Sequence, residues 1–287
     1  MTQTAWIFSI ALAASLGGVG LAQDGTDDTL VIVQAQDVVW SPLNPLRGDQ
    51  SPRAGALWGD RTRDEAAGFL VEFLEGFASP AHIHNITYRG VVLSGLLHND
   101  DPDAANMWMP EGSFWTQPAG EGHVTAASGQ TNLAYIEIDE GPYLVQPVDE
   151  AFDAGERPVN LHATNLVWLD APAPSGPEGQ NEFEGGPSLT VLWGDPAAGV
   201  SGALLSLPYG ASYPVQAGRE PTRLVPVTGE IEVHHPDLDM ARRVSPGGYI
   251  GAPRGERVDL VCQTGPACTV YLRGAQAYRI QTSQPPE

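Results

Sequence analysis

Lysine is absent from this chain. All 14 basic residues are arginine, and against them stand 35 aspartates and glutamates, a formal net charge of −21. Without an ε-amine the chain can form no Schiff base and build no P-loop. Its acidity opposes association with nucleic acid or anionic membrane surfaces. Charged residues are scarce overall, at 17%, while 33 Gly and 25 Pro punctuate the chain. That balance fits a turn-rich globular protein and excludes coiled coils and solvated tails. Chemistry is left to His, carboxylate, Arg, Tyr or a metal. A length of 287 residues suggests one or two domains of roughly 100 to 200 residues each.

Long apolar runs are also missing, apart from Ala5 to Leu16, which is followed by small residues through Gly20, Leu21 and Ala22. Residues 1–22 therefore read as a cleavable secretory signal, too short for a committed membrane span. The N-terminal amine is the one positive charge before the run, and the competing reading is a frayed helix or anchor. Export predicts a periplasmic or secreted protein with no membrane attachment after cleavage. Only two cysteines are present, and Cys262 and Cys268 bracket the turn-forming stretch Gln-Thr-Gly-Pro-Ala. An oxidising compartment predicts a disulfide across this hairpin, contributing about 2 kcal/mol by loop entropy. The alternative is two half-buried thiols.

The chain repeats itself. Leu57-Trp58-Gly59-Asp60 recurs as Leu192-Trp193-Gly194-Asp195, an offset of 135 residues. Gly76, Pro80, Gly95, Gly112, Pro118 and Gly120 find Gly210, Pro214, Gly229, Gly247, Pro253 and Gly255 at 134 or 135. Such a ladder marks a tandem duplication. Within each half, short runs rich in Val, Ile, Leu, Tyr and Thr alternate with Gly/Pro punctuation, as in Gly68 to Leu74, Ile86 to Leu93, Leu204 to Leu207 and Thr269 to Leu272. The spacing suits strands; Val148 to Ala154 is the best helical candidate and reads equally as a turn. The expected fold is all-β, two tandem jelly rolls with the double-stranded β-helix as leading form. The expected boundaries are 23–152 for the first barrel and 153–287 for the second.

Pro80-Ala81-His82-Ile83-His84 places two imidazoles on one face of a strand, and Pro118-Ala119-Gly120-Glu121-Gly122-His123 turns tightly to aim a third. Three neutral imidazoles on two strands can hold one ion and leave positions open for water, dioxygen or substrate. The second half has Gln216, Gly218 and Val258 at the corresponding places, so it cannot bind an ion in the same way. His98, His162 and the His234-His235 pair read as loop or unpartnered residues. Asp100 to Asp103 and Glu137 to Glu140 read as solvated turns without calcium-loop spacing.

These residues resemble the cupin superfamily. Gly76, His82, His84 and Gly95 match its first motif, and Gly112, Pro118, Gly120 and His123 its second. Tyr88 or Arg89, depending on spacing, stands where the motif has its glutamate ligand, and Ala127 where it has asparagine. The wording around Leu57 to Thr62, Thr87 to Gly90 and Phe114 to Gly120 further resembles the DUF4437 group, a bacterial two-cupin family of unassigned function. The resemblance implies the fold and one divalent transition metal (Fe, Mn or Zn) but no substrate. Cupins often pair, so a homodimer is compatible, although nothing in the sequence fixes an interface.

A three-His site leaves the ion its full charge and strengthens it as a Lewis acid. Tyr88, on the same strand face as His82 and His84 by alternation, either serves as an acid, base or hydrogen-bond donor to a ligand or fills space. Trp115, with Phe114 and Trp108, is expected to line a substrate pocket. Glu72, Glu121 and Glu137 remain alternatives for a fourth ligand. The expected function is a metal-dependent enzyme on a small organic molecule, dioxygenase-like by resemblance to three-His cupin dioxygenases. The alternatives are a redox-neutral isomerase or lyase and a non-catalytic binding or sensing module.

Overall fold

A computed structural model describes residues 29–171 and 186–275; the signal-like segment 1–22 lies outside the described residues. No described helix is long and apolar enough to cross a membrane. The described helices are short 3-10 segments of three to six residues, and Val148–Glu150 is one of the three-residue ones, so the helical candidate at 148 to 154 is a turn.

Each half of the sequence builds a two-layered β structure around its own apolar core. In the first, seven strands run in the order Val159–Leu161, Phe114–Gln117, Tyr88–Ser94, Asn132–Ile138, Ala67–Phe73, Arg53–Trp58, Trp40–Pro42. Facing them, Val124–Ala127 pairs with Leu96–Asp100, His82–His84 pairs with Val145–Pro147, and a His82–His123 bridge joins the two pairs. In the second half the large sheet runs Val31–Val33, Tyr249–Ala252, Thr222–Thr228, Ala267–Ala275, Val200–Pro208, Ser188–Trp193, Leu169–Asp170. The two orders match strand for strand, which is the duplication in three dimensions.

The glycine ladder has a conformational cause. Gly59, Gly76, Gly95, Gly112 and Gly120, and their counterparts Gly194, Gly210, Gly229, Gly247 and Gly255, all have φ between 61° and 83°, the left-handed region that favours glycine. At Gly120 space is limiting as well, since a Cβ would meet the Phe152 carbonyl at 2.4 Å.

The boundary expected between residues 152 and 153 is crossed in both directions. Val31–Val33 pairs with Tyr249–Gly251 of the second half, and Val159–Leu161 pairs with Phe114–Thr116 of the first. Each half thus lends its lead-in strand to the edge of the other's large sheet.

Between the two large sheets lies a third apolar cluster, including Leu57, Trp58, Leu70, Phe114 and Tyr135 with Leu204, Val225, Tyr249 and Tyr271. Its polar centre repeats the duplication. Trp58 donates to the Tyr135 hydroxyl at 3.0 Å and Trp193 to the Tyr271 hydroxyl at 2.9 Å. Arg89 lies 3.8 Å over the Trp193 ring, and Arg223 lies 3.9 Å over that of Trp58. Glu137 corrects the expectation of a solvated turn. It is 1% exposed, accepts from Tyr135 at 3.1 Å and Tyr271 at 2.6 Å, and pairs with Arg273 at 3.3 Å.

Cys262 and Cys268 form the expected disulfide, which fits an oxidising compartment. Two histidines depart from expectation. His98 is buried within Leu96–Asp100, and His235 is buried beside Glu256. His235 continues the inward alternation of Ile231 and Val233, whereas His98 lies on the face opposite Leu97 and Asn99 and is covered near Trp108.

Candidate metal centre

His82 and His123 are direct antiparallel partners, each backbone N–H donating to the other's carbonyl at 3.0 Å. Cross-strand partners share a face, and His84 joins that face two residues along. The turn at Pro118 to Gly120 is pinned by the Gly120 N–H donating to the His84 carbonyl at 2.8 Å. The ring centroids stand 4.2 Å apart for His82 and His123, 5.1 Å for His82 and His84, and 5.2 Å for His84 and His123. One potential ligand atom from each lies within 4.8 Å of the other two.

The tautomers follow from the neighbours. His82 Nδ1–H donates to the Pro80 carbonyl at 2.9 Å, His84 Nδ1–H to the Leu144 carbonyl at 2.9 Å, and His123 Nδ1–H to the Glu121 carbonyl at 3.2 Å. Each bond keeps the proton on Nδ1 and frees the Nε2 lone pair, the arrangement in which imidazoles serve as ligands. Burial depresses all three pKa values, and repulsion from the neighbouring rings adds to it at His84 and His123. His84 falls well below its usual value, His123 to about 3, and the partly exposed His82 falls too, with burial and the Arg47 charge as its causes. The rings are therefore neutral at pH 7 and need release no proton to a divalent transition ion, which this donor set fits.

A stability consequence follows for the metal-free protein. The unfolded chain protonates these rings near pH 6.5, whereas the folded chain refuses the protons. Stability is thus complete above about pH 6.5 and is lost as pH falls below it, by up to ~1.4 kcal/mol per pH unit for each fully buried histidine. Urea midpoints of metal-free protein at pH 7.5 and 5.0 should show this fall, and His84→Phe should reduce it. Equal slopes in the two proteins would refute the assignment.

Tyr88 joins the site. Its hydroxyl donates to Asn99 Oδ1 at 2.9 Å and lies 3.4 Å from His123 Nε2. Asn99 Oδ1 also accepts from Thr125 at 2.8 Å, while Asn99 Nδ2 donates to Gln117 at 2.8 Å and Gln117 to the Glu121 carbonyl at 3.0 Å. Burial raises the phenol's pKa far above its usual value, so Tyr88 stays protonated at pH 7 and serves as a hydrogen-bonding hydroxyl. Tyr143, which sequence reasoning missed, stacks on His84 at 4.3 Å with its hydroxyl 3.2 Å from Nε2.

His82, His84, Tyr88, Tyr143 and Trp115 border a cavity of about 380 Å³, a volume suited to a small organic molecule. Trp115 is 1% exposed, and its indole N–H has no acceptor among the described residues. The ring lies against Gly90, where a Cβ would come within 2.2 Å of it. Phe114, one residue away, faces the seam between the halves, and Trp108 packs near His98, 6.0 Å between ring centroids; neither borders the cavity. None of the three candidate glutamates supplies a fourth ligand. Glu72 pairs with Arg53 at the surface, Glu137 lies in the seam, and Glu121 offers its backbone carbonyl to His123 and Gln117.

The corresponding part of the second half is packed with apolar side chains. Val258, Leu260, Ile250 and Val233 fill its interior, and Gln216 donates to the Gly255 and Glu256 carbonyls. His235, Asp237 and Glu256 also cluster, but the ring is satisfied, its Nδ1 accepting the Asp237 N–H at 3.2 Å and its Nε2 donating to Glu256 at 2.8 Å.

Similarity to known proteins agrees with this architecture. Over 90% of this chain and 88% of the other, the fold is similar to a Nostoc punctiforme protein provisionally assigned as a dioxygenase (14% identity, TM-score 0.66). It is also similar to oxalate decarboxylase of Lactobacillus farciminis (13% identity, TM-score 0.56, covering 86% and 87%) and to vicilin of hazelnut, Corylus avellana (13%, 0.54, 86% and 85%). At such identities the likeness is one of fold, and no curated protein matches the sequence. The family model described as a domain of unknown function, DUF4437, matches residues 31–281, and the chain, whose two-barrel fold is the one its resemblance to cupins implied, belongs to this family.

Proposed function

We propose that this chain is an exported, periplasmic or secreted enzyme that holds one divalent transition metal at His82, His84 and His123 and acts on a small organic molecule in the adjoining cavity. Oxygenation is the favoured reaction. The observation that carries this reading is the set of three Nδ1–H bonds to backbone carbonyls, which makes each Nε2 the nitrogen with a lone pair, in three rings clustered closely enough to share an ion beside a cavity. The ion, Fe, Mn or Zn, would supply Lewis acidity and, if iron, redox chemistry toward dioxygen.

The chain's own residues bind and orient. Apolar walls exclude water and strengthen polar contacts inside, Trp115 adds an aromatic face to them, and the network through Asn99 fixes Tyr88 beside His123. The boundaries that best describe the chain are a signal at 1–22 and two barrels dividing near 152, each closed by a strand from the other. A second reading, metal-dependent capture without turnover, draws on the filled interior of the second barrel, where this fold persists without a site.

Oxygen uptake by iron-loaded and zinc-loaded protein over a panel of small aromatic and aliphatic acids and alcohols tests the proposal. Uptake that needs both iron and substrate is the expected result. Ligand binding without oxygen uptake or product would establish capture, and product without oxygen would establish redox-neutral chemistry.

A further inference from the structure

The cavity's charge is the reverse of the chain's. Although acidic residues outnumber basic ones 35 to 14, no aspartate or glutamate borders the cavity, and its one arginine is Arg47. Among the described residues Arg47 has no carboxylate within ion-pair distance, as is also true of Arg61, Arg63, Arg219, Arg223 and Arg242, but of these only Arg47 borders the cavity, where its guanidinium is available to an anion.

Its placement is fixed by the fold. Arg47 sits on the 3-10 turn Pro45–Gln50, which Asn44 caps by accepting the Leu46 N–H, and its guanidinium lies 5.4 Å from the centre of the Phe77 ring. Phe77, Phe73, Val71 and Ile136 make the adjoining wall apolar. The Trp115 ring adds an aromatic face to the same wall. These groups match an anion at one end and an apolar or aromatic body behind it.

We infer that the molecule taken up here is an organic acid with an apolar or aromatic body, its carboxylate held by Arg47 and its body lying against Phe77 and Trp115. The inference rests on the cavity being the substrate site of the proposed enzyme. It adds a substrate class and a residue that selects it.

Calorimetric titration of zinc-loaded protein, which cannot turn over an oxidisable ligand, tests it. Benzoate, 3-phenylpropanoate and octanoate are each compared with the corresponding amide. At least one acid should bind about tenfold or more tightly than its amide, as a charge-assisted contact predicts, and Arg47→Gln should bring that pair to parity with zinc content unchanged. If no acid outbinds its amide, including by failing to bind, or if Arg47→Gln preserves the preference, the inference fails. Zinc content is measured separately in both proteins. Wild-type protein with full zinc content and no acid preference therefore overturns the substrate class alone, whereas wild-type protein without zinc overturns the metal centre.

Discussion

His84→Ala and His123→Ala are each expected to reduce bound metal from about one ion per chain to near zero on elemental analysis, while Gln216→Ala in the other half leaves it unchanged. Both rings are buried, and their Nε2 atoms have the lone pairs freed by the bonds to Leu144 and Glu121. Even a residue that merely orients a ligand costs about 10- to 100-fold in metal affinity when removed, so loss of a ligand should cost more. Thermal unfolding supplies an independent reading. An ion at a thousand times its dissociation constant stabilises the folded chain by ~4 kcal/mol, an increment the variants should lack. If both keep the wild-type stoichiometry, the three imidazoles are not the site.

Arg273→Ala is expected to destabilise the fold by about 3–5 kcal/mol, the usual consequence of leaving one member of a buried ion pair alone. Glu137 is 1% exposed and takes its charge compensation from Arg273, with the Tyr135 and Tyr271 hydroxyls as further donors. Arg273 also holds Asp139, so its removal loosens two carboxylates at once. Replacing Glu137 and Arg273 together by leucine should cost less than Arg273→Ala, because no unpaired charge then remains in the seam. Urea unfolding of the three proteins decides the matter. A loss below about 1 kcal/mol for Arg273→Ala would show that the pair does not hold the halves together.

Much of this was legible in the sequence, and the legible parts share a cause. The glycine ladder could be read because each rung needs a left-handed backbone in both copies. The histidine spacing could be read because strand alternation is local. What escaped depends on distant chain. Val31–Val33 and Val159–Leu161 look like ordinary edge strands, and nothing in three residues says whose edge they join. Asn99, Tyr143 and Arg47 reach the site from elements whose own patterns name no partner. Glu137 stands in an acidic cluster that looks solvated, and its burial depends on a partner 136 positions away. A hint did exist: Glu137 aligns with Arg273 in the duplication, opposite charges at equivalent places.

The exchanged strands bear on why the second barrel persists without ligands of its own. Asn160, carried on the lent strand Val159–Leu161, donates to the Asn99 carbonyl at 2.9 Å and to Asp100 at 3.0 Å, directly behind the residue that fixes Tyr88. A gene shortened to its first copy would encode a histidine-bearing barrel with an open flank and one brace missing. The second copy is thereby tied to the first as scaffolding, and neither can be lost without unbracing the other.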